Sequence, residues 1–367
     1  MFPRNFKISS SQFRKMLVLD ILSISIMIVP QIASVGAGKD GILAIILGSV
    51  LALLYSLLML YFTRRVNSDY FTYSKDTVGK FITFIFGILY IIKFLILCIF
   101  VFNLFSNIIN ETLLPNTNYK IILLFLIVLT LYLASKEIEV RARLTEFLYL
   151  VVLIPLVLLL LLGVPKVDIP NLLPILTTDG GSILRTGFSI FLTYSAAEFI
   201  LFESAAIKQD DKRSQKNVIH AIITSTVINI FFFIMVVGLL GIYSTNQKIW
   251  STIIVMQLLE VPGGFIQRLD AIVLAFWMIS IFFISSTLLY HISNIAKSIT
   301  NAKKREYYLI IFAILIFLIC MKPIKIDIIL ANLNKYLIYI GVPQSILMPL
   351  IVFGIDKIKS GKGIRHE

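Results

Sequence analysis

The chain alternates between long apolar blocks and short polar connections, and this pattern predicts its fold. Residues 147–164 form a run of 18 residues without a charged side chain. A helix needs about 20 apolar residues to cross the roughly 30 Å hydrocarbon core of a bilayer. We therefore predict an all-α polytopic membrane protein, with residues 1–367 forming a single integral membrane domain. Its ten transmembrane helices are expected near residues 13–36, 41–63, 81–109, 119–135, 147–164, 184–206, 218–243, 270–296, 307–321 and 333–355.

Composition and charge support this interpretation. Hydrophobic residues make up 58% of the chain and charged residues 14%, whereas soluble domains hold about 25% charged residues. With a cytoplasmic N-terminus, 23 of the 33 Lys and Arg residues fall on the cytoplasmic side and nine fall outside. The positive-inside rule therefore predicts that both termini are cytoplasmic. This topology and binding to anionic membrane lipid explain the net charge of +13, so we expect no nucleic-acid partner.

The chain lacks the motifs of common catalytic and metal sites. It contains no nucleophile elbow, Walker loop or HExxH motif. Cys98 and Cys320 lie in separate apolar blocks, without the spacing of a disulfide framework or a metal site. His220 and His291 are interpreted as interfacial side chains near helix ends. We therefore expect no enzymatic activity, no metal and no cofactor.

Two predicted helices carry signals of a local break. Ten helices divide into two sets of five with inverted topology, and in such repeats the first helix of each set is often broken at mid-membrane. Helix 1 holds Ser23, Ser25 and Pro30, and Pro30 would free the carbonyl of Ile26. Helix 6 reads Tyr-Ser-Ala-Ala-Glu at 194–198. We expect a 5+5 inverted repeat with broken helices 1 and 6, although an ordinary proline kink explains helix 1 equally well.

Two charged residues fall near the middle of the predicted membrane. Lys93 lies halfway along helix 3, and Glu198 lies halfway along helix 6, which runs in the opposite direction. Because an unpaired charge in hydrocarbon is costly, an interaction between them, direct or through water, would stabilise both. The alternative is that Lys93 snorkels or that each charge finds backbone partners. Asp20, about two turns into helix 1, is either a gate residue or a partner of Arg14 or Lys15.

The predicted ligand site combines the two breaks, the mid-membrane charges and nearby aromatic side chains. Free carbonyls suit an ammonium group, and the N-terminus of a half-helix suits a carboxylate. Aromatic residues of helices 3 and 8 could wall a pocket, although most aromatics in a chain with 28 phenylalanines face lipid or the core. The predicted ligand-binding residues are Ser23, Ser25, Ile26, Tyr90, Lys93, Tyr194, Ser195, Ala196, Glu198 and Trp277.

Several short motifs occur in an order that resembles a known family. Residues 37–40 read Ala-Gly-Lys-Asp, residues 139–146 read Glu-Val-Arg-Ala-Arg-Leu-Thr-Glu, and residues 171–175 read Asn-Leu-Leu-Pro-Ile. Glu198 and the Arg-Leu-Asp sequence at 268–270 follow. Together with the ten apolar blocks, these motifs resemble the B-subunit family of spore germinant receptors, a branch of the amino acid–polyamine–organocation (APC) transporter superfamily. The resemblance covers nearly the whole chain.

The resemblance implies a function, partners and a location. It implies a germinant receptor subunit in the spore inner membrane, a bacterial cell membrane, that works with an A-type and a lipoprotein C-type subunit. A small germinant, in this family most often an amino acid, would bind at mid-membrane between helices 1, 3, 6 and 8. The alternatives are an amino acid permease on the same fold and a scaffold with a degenerate pocket. Ser23 and Ser25 stand where transporter relatives usually have glycines, and Ala196 replaces a family Gly, which bears on helix unwinding and transport.

Overall fold

The structure, a computed structural model, is built almost entirely of helices. It describes residues 7–63, 69–203, 206–207, 211–248, 250–259, 269–324 and 326–361. A 3₁₀ turn, Gly38–Asp40, joins the first two helices, and a π-helical turn, Leu337–Gly341, joins the last two. The helices are α1 (Ser10–Ala37), α2 (Gly41–Thr63), α3 (Tyr70–Val78), α4 (Lys80–Thr112), α5 (Tyr119–Ala134), α6 (Ile138–Gly163), α7 (Gly180–Thr193), α8 (Phe199–Glu203), α9 (Asp211–Gln247), α10 (Ser251–Leu258), α11 (Leu269–Thr300), α12 (Glu306–Cys320), α13 (Ile326–Tyr336) and α14 (Val342–Gly361).

Every predicted apolar block overlaps one or more of these helices. Within the described ranges, six helical stretches are long and apolar enough to cross a membrane, and the first of them contains both α1 and α2. Two further apolar helices, α5 and α12, are shorter. The sixth block is divided between α7 and α8, and residues 204–205 at its end lie outside the described residues. The prediction of a multi-pass helical membrane protein is therefore confirmed, while the count of ten spans stays a prediction.

The bundle has two ends, which we call the N-terminal face and the opposite face. The N-terminal face is where α1 begins and α14 ends, and there Lys359 of α14 donates to the carbonyl of Thr77 in α3 at 2.8 Å. The opposite face holds the turn after α1 and the loop before α7. There Lys39 donates to the carbonyl of Pro170 at 3.3 Å. The two faces are the reference for the site described below.

α1 is the central helix of the bundle. All of its residues from Met16 to Pro30 are buried, as expected for a helix that is apolar around its whole circumference. It packs against α9, α7, α11, α6 and α2. By contrast, α5 and α12 expose apolar side chains, such as Phe125, which is 68% exposed. In a membrane these outer helices contact lipid while α1 contacts protein.

The prediction of a broken helix 1 is wrong. Pro30 lies inside α1, which continues without interruption from Ser10 to Ala37. The Thr252 hydroxyl of α10 donates to the carbonyl of Ile26 at 3.1 Å. A side chain from a neighbouring helix thus bonds the carbonyl that Pro30 cannot bond. Because this backbone group is satisfied inside the protein, the helix does not have to unwind.

The predicted break in helix 6 is confirmed. α7 ends at Thr193, the backbone of Tyr194 has φ −87° and ψ 21°, and Ser195–Glu198 forms a 3₁₀ turn before α8. The small side chain of Ala196 is buried, and the turn packs against α1 and α2. The break therefore presents Glu198 to the interior of the protein.

Asp40 holds the loop before α7 in place at the opposite face by hydrogen bonds. Its carboxylate accepts hydrogen bonds from the backbone N–H groups of Leu176 at 2.5 Å, Thr177 at 2.8 Å and Thr178 at 2.8 Å. Leu176 has φ 61°, a left-handed conformation that is strained for a bulky residue. Burial raises the pKa of Asp40, but the hydrogen bonds together outweigh burial and hold this pKa below its ordinary value.

The Asn-Leu-Leu-Pro motif attaches the same loop to α9. α9 is kinked at Gly241, whose φ of 73° favours glycine. The side-chain amide of Asn171 donates to the carbonyl of Gly238 at 2.9 Å, and the N–H of Asp168 donates to the same carbonyl at 3.1 Å. The motif and Asp168 before it thus each supply one donor to a carbonyl about one turn before the kink.

We expect Asp40→Asn to lower the free energy of unfolding by about 1–3 kcal/mol, because three backbone donors lose a charged acceptor. The pKa of Asp40 is lowered from 3.8 in the folded protein. Wild type therefore keeps this stabilisation above about pH 4 and loses it as the pH falls through the lowered pKa. Thermal unfolding of the purified full-length chain from neutral to acidic pH measures both effects.

Asp179→Asn is the matched control on the same loop. Asp179 accepts from the N–H of Ser182 at 2.9 Å as the N-cap of α7, and Asn caps a helix about as well as Asp. We expect this variant to unfold at nearly the same temperature as wild type at neutral pH. A difference between wild type and Asp40→Asn that stays constant in acid would contradict the assignment.

Candidate ligand site

Lys93 and Glu198 form a buried ion pair at the break between α7 and α8. Lys93 Nζ lies 2.5 Å from Glu198 Oε2, and the two side chains are 3% and 1% exposed. Lys93 also donates to the hydroxyl of Ser345 and, at 3.3 Å, to the carbonyl of Gly341. All three N–H donors of the ammonium are therefore used. The direct interaction hypothesised from the sequence is present in the structure.

Glu198 keeps one oxygen unused. Oε2 faces Lys93, whereas Oε1 is buried and has no hydrogen-bond partner among the residues that the structure describes. A cavity of about 20 Å³ adjoins the pair, with Tyr55, Tyr194 and Ser195 in its lining. Such a volume holds about one water molecule. Because a buried polar atom without a partner is costly, Oε1 is a natural acceptor for a donor that enters the cavity.

A larger cavity leads from the ion pair toward the opposite face. Its volume is about 210 Å³, its walls are mostly apolar, and it shares Ser195 and Leu337 with the small cavity. A third cavity of about 360 Å³ shares Gln31 and Asn334 with the second and reaches Arg185 in α7. The shared lining residues show that the three cavities lie next to one another in a row from Arg185 to the ion pair, and we call this row the path.

Asn229 of α9 joins the central helix to the break. Its side-chain amide donates to Ser25 Oγ at 3.0 Å and to the Tyr194 hydroxyl at 3.2 Å. Ser49 Oγ of α2 lies 3.1 Å from the same hydroxyl. Tyr194 is thus held by α9 and α2 beside the small cavity, and Asn229 links it to α1. Sequence reasoning missed Asn229, although a single amide in an apolar helix is itself a signal of an internal contact.

The α1 carbonyls that were expected to face a ligand are bonded to protein donors. The indole N–H of Trp277 donates to the carbonyl of Ser23 at 2.9 Å. The hydroxyl of Thr252 occupies the carbonyl of Ile26. Both carbonyls therefore have a hydrogen-bond donor from the protein. Trp277 contacts α1 and does not line any of the three cavities.

The ten predicted ligand-binding residues divide into two groups. Tyr90 lies in an aromatic cluster, with its ring 5.1 Å from that of Phe202, and Ser25 reaches the site only through Asn229. Ala196 is buried within the 3₁₀ turn. Ser23, Ser25, Ile26, Tyr90, Ala196 and Trp277 do not line the three cavities. Those that line the small cavity are Lys93, Tyr194, Ser195 and Glu198.

Comparison with known proteins adds the family to this geometry. The sequence pattern of a family described as spore germination protein matches residues 7–328. The chain belongs to the spore germination protein family. The resemblance inferred from the short motifs is therefore confirmed.

Three relatives from Bacillus subtilis (strain 168) illustrate the similarity within the spore germination protein family. Spore germination protein KB is 26% identical over 357 residues, which are 95% of this chain and 94% of the relative. Spore germination protein YndE is 24% identical over 288 residues, 77% of this chain and 78% of the relative. Spore germination protein A2 is 27% identical over 289 residues, 79% of this chain and 78% of the relative.

Solved structures of transporters share the fold of this spore germination protein. MHP1, a nucleobase-cation-symport-1 family transporter, has a TM-score of 0.66 at 13% identity, over 90% of this chain and 76% of the transporter. A Na⁺-coupled sialic acid symporter has a TM-score of 0.60 at 13% identity, over 94% and 78%. A manganese transporter of Eremococcus coleocola has a TM-score of 0.63 at 14% identity, over 92% and 78%. The likeness shows a leucine-transporter-like fold.

In this spore germination protein, a buried polar cluster lies between the ion pair and the N-terminal face. Arg141 Nη2 donates to the Thr287 hydroxyl and lies 3.9 Å from Glu203 Oε1, and His291 Nε2 lies 3.2 Å from that oxygen. Thr287 Oγ1 lies 3.3 Å from Asp20 Oδ2. Every member is at most 4% exposed. We call these five residues the Asp20–His291 cluster.

The cluster corrects two expectations. Asp20 faces Thr287, while Lys15 pairs with Glu146 at 2.6 Å, so among the described residues Asp20 pairs with neither Arg14 nor Lys15, the two expected partners. The interpretation of His291 as an interfacial side chain is wrong, because His291 is buried against Glu203. Sequence reasoning treated the segment with Arg141 only as a family marker.

We expect either single change, Lys93→Met or Glu198→Gln, to lower the free energy of unfolding by about 3–5 kcal/mol, because each leaves one buried charge without its partner. The double change should cost less than the sum of the two, since it removes both charges. Thermal unfolding of the four proteins in lipid nanodiscs measures the coupling.

Lys15→Met with Glu146→Gln provides the matched control. That pair is equally short at 2.6 Å, but its side chains are 20% and 43% exposed. Exposed pairs contribute less than about 1 kcal/mol. If the losses of stability in Lys93→Met and Glu198→Gln simply add in the double variant, as we expect for the control pair, the buried contact contributes no coupling energy.

Proposed function

We propose that this spore germination protein is a germinant receptor subunit that binds a small molecule beside Lys93 and Glu198. One observation carries the proposal: the unpartnered Oε1 atom of Glu198 lies at the closed end of a path from the opposite face. Lys93 has no donor left for a ligand, whereas Glu198 has a free acceptor. The site therefore selects a ligand that carries a donor, and a cationic donor most strongly.

An amino acid fits the chemistry of this path. Its ammonium group would donate to Glu198 Oε1, and an apolar side chain would contact the cavity wall at Ile28 and Phe100. Its carboxylate would face the amides of Gln31 and Asn334, which border both larger cavities. A cavity of about 210 Å³ favours small amino acids over large ones.

The proposed arrangement in the membrane follows from charge and fold. Ten spans in two inverted sets of five would place both termini in the cytoplasm, with the opposite face outside the spore inner membrane. The excess of Lys and Arg on the N-terminal side supports this orientation. Relatives named spore germination proteins A2, B2 and KB support a role in germination together with A-type and C-type partner subunits.

Signalling requires that the ligand favour one conformation. The path is open toward the opposite face, and the Asp20–His291 cluster lies buried on the other side of the ion pair. A ligand shifts a conformational equilibrium from 1:99 to 99:1 only if it binds one state about 5.5 kcal/mol more tightly. In our proposal the partner subunits convert that shift into ion release and germination. The second candidate is an amino acid transporter, which the transporter fold of the similar solved structures favours.

A coupling cation fits this chain poorly. The fold is shared with a Na⁺-coupled symporter and a cation symporter, but the carbonyls of Ser23 and Ile26 are bonded to Trp277 and Thr252. The ammonium of Lys93 already supplies a positive charge beside Glu198.

We expect small amino acids to stabilise the full-length protein against thermal unfolding, by about 2.7 kcal/mol at a concentration of 100 Kd. Glu198→Gln should lower the affinity at least tenfold, about 1.4 kcal/mol, because it removes the charged acceptor. A panel of amino acids and nucleosides in nanodiscs measures the effect, and Glu146→Gln on the surface should behave as wild type. An amino acid that stabilises wild type and Glu198→Gln equally would contradict this site.

Uptake into proteoliposomes separates the two candidate functions. A receptor subunit binds the ligand without concentrating it, whereas a carrier accumulates it in the absence of partner subunits. Concentrative uptake by the purified chain would replace the receptor proposal by the transporter. Binding without uptake, together with loss of germination in spores that contain wild-type amounts of the folded Glu198→Gln protein, would support the receptor.

We expect ligand affinity to be unchanged when Na⁺ is replaced by choline at constant ionic strength, because protein donors already occupy the α1 carbonyls. The same stability assay measures this. The control variant is Thr252→Val. It removes the donor to the carbonyl of Ile26 and should leave the contacts of Glu198 unchanged. A tenfold or larger loss of affinity for wild type in choline would contradict the expectation.

A further inference from the structure

The hydrogen bonds of the Asp20–His291 cluster leave one proton to be assigned. The Thr287 hydroxyl has a single hydrogen, and its oxygen accepts from Arg141 Nη2. The same oxygen lies 3.0 Å from the carbonyl of Phe283 and 3.3 and 3.5 Å from the two carboxyl oxygens of Asp20. The Phe283 carbonyl is the nearer acceptor, and both Asp20 oxygens lie beyond the usual range of about 2.5–3.0 Å for an O–H···O hydrogen bond. The Thr287 hydrogen is therefore directed mainly to Phe283, and the Asp20 carboxyl has no close donor among the described residues.

A hydrogen on Asp20 itself would satisfy this contact. Threonine hydroxyls inside helices commonly donate to the carbonyl four residues earlier, which here is Phe283. An ionised Asp20 would then face the lone pairs of Thr287. Among the described residues, Thr287 is the side chain that hydrogen-bonds the Asp20 carboxyl. A protonated Asp20 donates to Thr287, and both groups are then satisfied.

The charges around Asp20 also balance when it is neutral. The charged groups that act on Asp20 within the described ranges are Arg141 of α6 and Glu203 of α8. His291 of α11 contacts Glu203, and Asp69, ahead of α3, acts on His291 from the N-terminal face. With Asp20 neutral, Arg141 and Glu203 form one ion pair. With Asp20 ionised, the cluster holds a second buried negative charge.

We propose that Asp20 is a proton-binding site and that its proton keeps the half of the bundle next to the N-terminal face closed. When the proton leaves, the buried negative charge must be hydrated or paired. Either water enters from the N-terminal face, or Arg141 moves away from Glu203. Both changes loosen the contacts of α1 with α6 and α11. In the proposed orientation the proton exchanges with the cytoplasm, so the state of this gate depends on cytoplasmic pH.

Infrared difference spectroscopy between acidic and alkaline pH tests the proton directly. The full-length protein in lipid nanodiscs should show the C=O stretching band of a buried protonated acid, and the band should disappear as the pH rises. Asp20→Asn should lack this band. Glu198→Gln and Glu146→Gln should retain it, which separates this result from the ligand site. Persistence of the band in Asp20→Asn, or its absence from wild type, would overturn the proposal.

Two further variants keep the test decisive. Thr287→Val removes the partner of Asp20 and should shift the frequency of the band, even if Asp20→Asn cannot be purified. An unchanged frequency would overturn the assignment. His291→Gln should retain the band. If the pH-dependent change were lost in His291→Gln and kept in Asp20→Asn, the proton would belong to His291 and the proposal would fail.

Thiol labelling tests the link between the proton and closure. Ser23→Cys, one turn from Asp20 and buried, is introduced after Cys98 and Cys320 are replaced by Ser. Its labelling by a water-soluble reagent should rise at least severalfold with pH and should stay low when Asp20→Asn is added. Equal pH dependence with and without Asp20→Asn would show that the proton does not control closure.

Discussion

Two opposite charges in a water-poor interior have to satisfy each other, and the structure around Lys93 and Glu198 is arranged for this purpose. α4 brings Lys93, and the break between α7 and α8 turns Glu198 toward it at 2.5 Å. The π-helical turn before α14 adds the carbonyl of Gly341, and α14 adds Ser345. The pair therefore connects three distant parts of the chain. It also leaves one carboxylate oxygen free, and the path from the opposite face ends there.

Buried polar groups must have partners, and this also explains why α1 continues past Pro30 while the α7–α8 segment breaks. In α1 the carbonyl of Ile26 finds the hydroxyl of Thr252, so Pro30 is accommodated without unwinding. In the α7–α8 segment the 3₁₀ turn is stabilised through Tyr194, which contacts Asn229 and Ser49. The family motifs serve the opposite face in a similar way. Asp40 accepts from backbone N–H groups of the loop before α7, and Asn171 of that loop donates to the carbonyl of Gly238 in α9.

The two halves of the bundle differ in how many charged side chains they bury. Toward the opposite face, the cavities have mostly apolar walls with a few amides and hydroxyls and Arg185, and they are wide enough for a small molecule. Toward the N-terminal face, charged side chains are buried against one another around Arg141 and Glu203. A protein that only reports a ligand needs such an asymmetry, because the ligand must enter from one side without leaving on the other. A transporter needs the closed side to open in every cycle.

The sequence by itself determined the helical membrane fold, the family, the break before Glu198 and the common depth of Lys93 and Glu198. These features follow from segment length, from local helix signals and from position along a helix. Only the tertiary structure decided which carbonyls of α1 are free, and which side chains meet at Asn229 and Asp20. Asn229 and Ser25 are 204 residues apart, and Thr287 and Asp20 are 267 apart. α1 is buried on every side, so its apolar pattern does not encode which face meets which neighbour. The rotation of each helix about its axis is therefore set by its packing against the neighbouring helices and cannot be read from the apolar pattern.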